Sequence, residues 1–119
     1  MIGAALVALV ALIHVGILVM EMFLWETPRI RAVFRTTPDL ARSTRVLAAN
    51  QGLYNGFLAA GLILALVQGV PGPGAELAHF ILACVIVAGL YGAATVGRRI
   101  IYVQAAPAAL ALVAVMFGT

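Results

Sequence analysis

Long apolar runs alternate along this chain with short connections that are polar or rich in glycine and proline. An α-helix needs about 20 apolar residues to cross the hydrocarbon of a bilayer, and four runs approach that length. They cover residues 2–25, 46–68, 77–97 and 100–118. We therefore predict an all-α fold, an integral membrane four-helix bundle in which residues 1–119 form a single transmembrane domain.

The longest connection, residues 26–45, contains two threonine–proline pairs, and such pairs are typical of helix starts. The pair Thr27–Pro28 predicts a short helix that lies in the membrane interface. Its predicted apolar face consists of Ile30, Val33 and Phe34. The pair Thr37–Pro38 predicts a second start, from which the chain continues without a break into the second span.

Composition excludes a water-soluble protein, because 65% of the residues are hydrophobic, only 9% are charged, and the mean hydropathy is +1.15. The net charge of +3 comes from seven arginines, all of which lie in residues 26–45 or at Arg98 and Arg99. Both connections fall on the same side of a four-span protein. The positive-inside rule makes that side cytoplasmic, with residues 26–45 as a cytoplasmic loop and both termini on the non-cytoplasmic side. Membrane topology thus explains the positions of the arginines. We expect a multi-pass protein of the cell inner (cytoplasmic) membrane. Its expected partners are membrane lipids, and no nucleic acid is expected.

Glu21 is the most informative polar residue, because an ionisable group inside a span is costly in lipid. It lies about 6 Å from the arginine side of the first predicted helix, counted at 1.5 Å per residue. A carboxylate in a low dielectric either stays protonated or needs a partner, and both states are useful for binding a cation or moving a proton. The alternative is an interfacial Glu21 that snorkels to the headgroups together with Glu26.

Other polar residues of the spans converge with Glu21 in the cytoplasmic half of the predicted bundle, and the spacing therefore predicts a polar pocket open to the cytoplasm. The members of this predicted pocket, besides Glu21, are His14, Trp25, Asn50, Gln51, Tyr54, Asn55, Tyr91, Thr95 and Gln104. Asparagine and glutamine also serve as hydrogen-bond contacts between membrane helices, so the cluster has this second interpretation. Trp25 is also typical of an aromatic belt.

Several other chemistries have little support in the sequence. Cys84 is the only cysteine, and His14 and Glu21 are about 10 Å apart along one helix, so no metal site is predicted. We predict no cofactor and assign no catalytic residue. The small residues Gly52 and Gly56, or Gly89 and Ala93, form helix-contact faces through which a homo-oligomer could assemble.

Three blocks of the sequence, EMFLW, NQGLYNGFLAAGL and VQxxPA, resemble the small bacterial membrane-protein family catalogued as domain of unknown function 1304. The resemblance extends over nearly the whole chain. It implies four membrane helices and no established activity, and it draws attention to the motif residues Glu21, Trp25, Asn50 to Gln51, Tyr54 to Asn55, Gln104 and Pro107.

These observations leave three functions open. The first is binding or transport of an unknown small molecule in the pocket centred on Glu21. The second is a membrane enzyme that acts on a lipid- or quinone-like substrate, with Glu21 as acid or base and Tyr54, Tyr91 or His14 as its partner. The third is a structural accessory subunit, in which the polar residues only hold helices together.

Overall fold

The computed structural model describes residues 1–119, and every regular element in it is helical. The α-helices are α1 (Ile2–Met22), α2 (Pro28–Phe34), α3 (Pro38–Gln68), α4 (Ala75–Thr95) and α5 (Ala106–Met116). A π-helical turn, Ile101–Ala105, leads into α5. The all-α fold class is thereby confirmed.

Three of these helices, α1, α3 and α4, are long and apolar enough to cross a membrane. The fourth predicted span corresponds to the π-helical turn and α5, which together form a shorter apolar helix, Ile101–Met116. The π-helical turn has a local cause. Pro107 has no backbone N–H to donate, and it therefore lies in the first turn of α5, where a helix does not need that donor. The Ala106 N–H closes the turn by donating to the carbonyl of Ile101, five residues earlier.

The end of α1 differs from the predicted span, and the start of α3 agrees with the predicted helix start. Helix α1 ends at Met22 rather than at residue 25, since the chain turns there: the Thr27 N–H and hydroxyl both donate to the Leu24 carbonyl, at 3.0 and 2.7 Å. Helix α3 begins at Pro38, as the second threonine–proline pair predicts, and continues without a break through the span predicted to begin at residue 46. Its 31 residues extend about 46 Å, which exceeds the roughly 30 Å of bilayer hydrocarbon. The amino-terminal third of α3, which carries Asp39, Arg42 and Arg45, therefore extends beyond the apolar span.

The chain divides into two compact units, which we describe separately. The first, called the core unit, consists of residues 1–13 and 58–119. Its interior is a cluster of aliphatic side chains and alanines. The largest fully buried members of this cluster are Leu62, Leu82, Val7, Val10 and Val85. Alanines such as Ala65, Ala78 and Ala108 allow the helices to approach closely within this cluster.

Two backbone contacts define the ends of the core unit. In the connection after α3, a Cβ at Gly74 would collide with the Ala65 carbonyl oxygen, and only glycine fits at this position. At the chain termini, the Gly3 N–H donates to the Thr119 carbonyl oxygen at 2.9 Å. The chain therefore begins and ends at the same end of the core unit.

The second unit, residues 14–57, is called the Glu21 unit. It contains the carboxyl-terminal part of α1, all of α2 and the amino-terminal two thirds of α3. Thr27 caps α2, since its hydroxyl oxygen accepts a hydrogen bond from the Ile30 N–H at 3.4 Å. Within α2, Ile30 is buried and Phe34 is half-buried, whereas Val33 is exposed. Ile30 and Phe34 therefore attach α2 to the protein, while Val33, at the same helical spacing, remains exposed.

Candidate functional site

Glu21 lies in the last turn of α1 and is half-buried. One of its oxygens, Oε1, accepts a hydrogen bond from Asn55 Nδ2 on α3, at 3.0 Å. The same Nδ2 donates to the backbone carbonyl of Gln51, also at 3.0 Å, and this second bond fixes the orientation of the amide. The Asn55 amide therefore holds Glu21 Oε1, and no other side chain of the protein hydrogen-bonds to the carboxylate.

Close packing at Gly52 on α3 explains why α3 approaches α1 beside Glu21. A Cβ built on Gly52 would lie 2.7 Å from Met22 Cγ, 3.1 Å from Glu21 Cβ and 3.2 Å from the Leu18 carbonyl oxygen. Real Cβ atoms essentially never approach an atom so closely, so the contact requires glycine. One turn later, Gly56 faces the end of the Leu18 side chain. The face containing Gly52 and Gly56, which the sequence offered for a homo-oligomer, thus packs against α1 of the same chain.

Trp25 lies in the turn after α1, outside the helix, although the predicted span extended to residue 25. Its indole N–H donates to Thr44 Oγ1 at 3.2 Å. Its ring also contacts the ring of Phe34 on α2, with the centroids 4.9 Å apart and the planes tilted by 55°. The Thr44 hydroxyl in turn donates to the Leu40 carbonyl at 2.7 Å. Trp25 is thereby fixed at both its polar and its apolar parts.

An open pocket of about 260 Å³ lies beside these residues, and all of its walls come from the Glu21 unit. Its lining residues are Glu21, Trp25, Thr36, Leu40, Thr44, Leu47, Ala48 and Gln51. Glu21 is the only residue among them that can carry a charge. The Thr36 hydroxyl oxygen is buried and has no hydrogen-bond partner, so it retains the capacity to bond to an occupant. The pocket is therefore mainly apolar, with one carboxylate, one unused hydroxyl and one fixed aromatic ring.

The structure separates the predicted pocket residues into four groups. Glu21, Trp25 and Gln51 line the pocket, and Asn55 contacts it through Glu21. Asn50 instead lines a second open groove, together with Ser43 and Leu53.

His14 and Tyr54 do not line the pocket, although both belong to the Glu21 unit. His14 is buried on α1, two turns before Glu21. Tyr54 is 57% exposed and makes an edge-on contact with Phe57, with ring centroids 5.6 Å apart.

The remaining three predicted residues, Tyr91, Thr95 and Gln104, belong to the core unit, whereas every pocket wall comes from residues 14–57. Tyr91 is exposed, and its backbone carbonyl accepts a hydrogen bond from the Thr95 hydroxyl at 2.8 Å. This local bond satisfies the Thr95 hydroxyl within its own helix. Gln104 is half-buried in the π-helical turn.

Sequence reasoning did not identify five walls of the pocket: Thr36, Leu40, Thr44, Leu47 and Ala48. The predicted pocket contained only polar and aromatic residues of the predicted spans, so the aliphatic walls and the residues before position 46 were left out. Once α3 begins at Pro38, residues 40, 44, 47, 48 and 51 fall within an arc of about 100° on one helix face. The Thr37–Pro38 start already contained this signal, because a continuous helix from Pro38 places all of these side chains together.

The positive charges of the Glu21 unit lie outside the pocket walls. Arg42 forms an ion pair with Asp39 at 3.4 Å, and Arg45 forms one with Glu26 at 3.7 Å, both exposed. Exposed pairs of this kind contribute little to stability and are screened by salt. Glu26 is therefore paired with Arg45 at the exterior, whereas Glu21 has no ion-pair partner.

No group of three or more His, Cys, Asp or Glu side chains is close enough together to hold a metal ion. Cys84 is a half-buried free thiol on α4. The chemistry available at the site is thus that of a carboxylate, two amides, hydroxyls and an indole.

Comparison with known proteins gives a family match over most of the chain. The family model described as "Protein of unknown function (DUF1304)" matches residues 8–116. A relative in Lactococcus lactis subsp. lactis (strain IL1403), described as "Uncharacterized protein YpaA", is 34% identical over 111 residues, which are 92% of this chain and 92% of the relative. No solved structure matches the chain.

Proposed function

The chain belongs to the family of unknown function described as DUF1304, and from that premise we propose that it is an integral membrane protein that binds a small molecule in the pocket beside Glu21. The observation that carries the proposal is the position of Glu21, whose half-buried carboxylate lines an open pocket of about 260 Å³. Ligand pockets are typically concave and mostly apolar, with a few polar groups that orient the ligand. The composition of the walls fits this description.

The membrane setting is part of the proposal. Helices α1, α3 and α4 are long and apolar enough to span a bilayer. We infer that residues 26–45 face the cytoplasm, as do Arg98 and Arg99, in the cell inner membrane, because arginines next to spans are retained on that side. Helix α1 reaches Glu21 only in its last turn, so the pocket lies near the cytoplasmic surface, where a water-soluble ligand can reach it.

Release of a bound molecule to the opposite side would make the protein a transporter. Small-molecule binding is the common requirement of both activities, and it is the step that the pocket supports directly. We therefore test binding first.

The test measures thermal unfolding of the purified full-length protein in a neutral detergent. A compound that binds the folded state raises the unfolding temperature by mass action, by an amount equivalent to about 2.7 kcal/mol at 100 times its dissociation constant. The compounds are organic cations, metal ions, quinones and lipids, each tested on wild type, Glu21→Gln and Glu76→Gln. Glu76→Gln removes the same charge from an exposed position on α4 and serves as the matched control.

A compound that stabilises wild type and Glu76→Gln but not Glu21→Gln supports the proposal. The contrary result is a panel in which no compound acts, together with a large loss of stability in Glu21→Gln without ligand. That outcome would overturn the binding proposal and favour a structural role for the Glu21–Asn55 bond.

A further inference from the structure

We infer that the Glu21 pocket takes a small organic cation, an ammonium group carried on an apolar body, and this inference rests on the proposed binding function. The charge of the walls is the first argument. Glu21 is the only ionisable side chain among the pocket residues, and an ionised carboxylate accepts hydrogen bonds and attracts positive charge. An anionic occupant would meet this carboxylate without any basic group in the walls to offset it.

The hydrogen bonds of Glu21 leave one side of the carboxylate available. Oε1 accepts from Asn55 Nδ2, and no protein group donates to Oε2. No arginine lies within ion-pair distance of Glu21. The two ion pairs of the chain join Arg42 to Asp39 and Arg45 to Glu26. The protein therefore provides no counter-charge of its own, and an occupant that brings one gains a charge-assisted contact.

The other walls suit the apolar body of such a cation. Leu40, Leu47 and Ala48 supply aliphatic surface, and Trp25 supplies an aromatic ring. Attraction between a cation and an indole ring contributes about 0.5–2 kcal/mol, depending on desolvation. The ring is already held by Thr44 and Phe34, so little side-chain freedom is lost when a ligand packs against it.

Size limits the occupant further. A pocket of about 260 Å³ falls below the range of about 300–1,000 Å³ that is typical for drug-sized ligands. Thr36 adds a buried, unused hydroxyl, which can accept a hydrogen bond from an ammonium N–H. The favoured ligands are therefore compact monovalent amines and quaternary ammonium compounds with one ring or a short alkyl chain.

The test uses three probes that share a benzyl group and a tetrahedral head and differ in charge. They are benzyltrimethylammonium, the neutral hydrocarbon neopentylbenzene and the anion phenylmethanesulfonate. Trp25 is the only tryptophan of the chain and lines the pocket, so its fluorescence in detergent-solubilised full-length protein reports occupancy. Titrations are run on wild type, Glu21→Gln, Glu21→Asp and Glu76→Gln, with thermal unfolding as a check that each variant is folded.

We expect wild type and Glu76→Gln to bind the cation at least about tenfold more tightly than either other probe, because the Glu21 carboxylate and the Trp25 ring attract its positive charge, whereas the hydrocarbon has no charge and the sulfonate is repelled. Glu21→Gln retains the oxygen that accepts from Asn55 and loses the charge, so it should lose this preference. Glu21→Asp retains the charge and should keep part of the preference. Binding of neopentylbenzene as tight as that of the cation, or cation binding unchanged in folded Glu21→Gln, would overturn the inference while the binding function stands. If none of the three probes binds and no compound of the wider panel binds either, both the cation inference and the proposed binding function are overturned.

Discussion

The Asn55 side chain donates one hydrogen bond to Glu21 Oε1 and another to the Gln51 carbonyl, both at 3.0 Å. The two bonds use both hydrogens of the amide nitrogen, so the amide cannot rotate without losing one of them. The Glu21 carboxylate is therefore held at a defined position on the pocket wall. A carboxylate with a fixed position can discriminate between ligands better than a mobile one, because the ligand does not have to order it.

The first prediction concerns this bond. Asn55→Ala should lower the free energy of unfolding by about 1–2 kcal/mol, because Glu21 loses a donor. In a double-mutant cycle with Glu21→Ala, the coupling energy should reach about 1 kcal/mol. The measurement is unfolding in mixed detergent micelles. Asn50→Ala is the matched control, since Asn50 is exposed on the same helix and makes no bond to Glu21; additivity between Asn55→Ala and Glu21→Ala would mean that the bond has no energetic role.

The second prediction concerns the close approach of α1 and α3. Gly52→Ala should destabilise the protein by about 1–3 kcal/mol, because the new methyl group would meet the Leu18 carbonyl, which cannot rotate away, as well as Met22. Gly16→Ala on α1 should be neutral or stabilising by up to about 1 kcal/mol, since no atom lies within 4 Å of its added Cβ and alanine favours a helix.

Gly56→Ala provides an intermediate case, and the free energy of unfolding of all three variants is measured in mixed detergent micelles. Its added Cβ meets only the flexible end of the Leu18 side chain, so we expect a smaller loss than for Gly52→Ala. Equal effects of the three substitutions would show that close packing at Gly52 does not matter.

Much of the fold was accessible from the sequence, because helix periodicity, proline and the length of apolar runs act locally. The two threonine–proline pairs coincide with the starts of α2 and α3. The end of α1 was not predicted, because apolar residues continue through Phe23 and Leu24 while the turn depends on hydrogen bonds from Thr27. The π-helical turn was not predicted either, because Pro107 shows where a backbone donor is missing but does not define which hydrogen bonds the preceding turn forms.

The candidate site was accessible only in part. Glu21 stands out in any apolar span, because its cost in lipid demands an explanation. The role of Thr44 was missed although the predicted helix start at Pro38 includes it, because its partner Trp25 lies in the turn after α1, which was not predicted. Depth along the spans grouped Tyr91 and Gln104 with Glu21, but depth does not define which helices are neighbours. That information comes from packing contacts such as the one at Gly52, which the pattern alone does not pair with α1.

The third prediction tests the anchoring of Trp25. Thr44→Val removes the hydroxyl that accepts the indole hydrogen bond at 3.2 Å and keeps the shape of the side chain. We expect the steady-state fluorescence anisotropy of Trp25 to fall, because the ring gains freedom to move. Thr44→Ser retains the hydroxyl and should leave the anisotropy near the wild-type value. If the Trp25 fluorescence spectrum and anisotropy of Thr44→Val are identical to those of wild type, Phe34 and the pocket walls alone hold the indole ring.

The fourth prediction concerns Arg35, which ends α2 in the left-handed conformation with φ 57° and ψ 46°. This conformation costs a residue with a Cβ about 1–2 kcal/mol, and glycine adopts it freely. Arg35→Gly should therefore raise the free energy of unfolding by about 0.5–1 kcal/mol, after the greater entropy of glycine in the unfolded chain is subtracted. Arg29→Gly removes the same charge inside α2 and should destabilise by up to about 1 kcal/mol. Changes of the same sign in both variants would indicate that charge, rather than backbone conformation, determines the result.

The fifth prediction tests the proposed orientation in the membrane. Both chain ends lie together, since the Gly3 N–H donates to the Thr119 carbonyl, and a chain whose ends share one side crosses the membrane an even number of times. The proposed orientation places residues 26–45 in the cytoplasm, because arginines next to spans are retained on that side. In a Cys84→Ala background, a membrane-impermeant maleimide should label Glu76→Cys and Thr119→Cys in intact cells. It should label Ser43→Cys, an exposed position on α3, only after the membrane is opened. Labelling of Ser43→Cys in intact cells would reverse the orientation, and it would place the Glu21 pocket on the outer side, where its ligand would have to come from outside the cell.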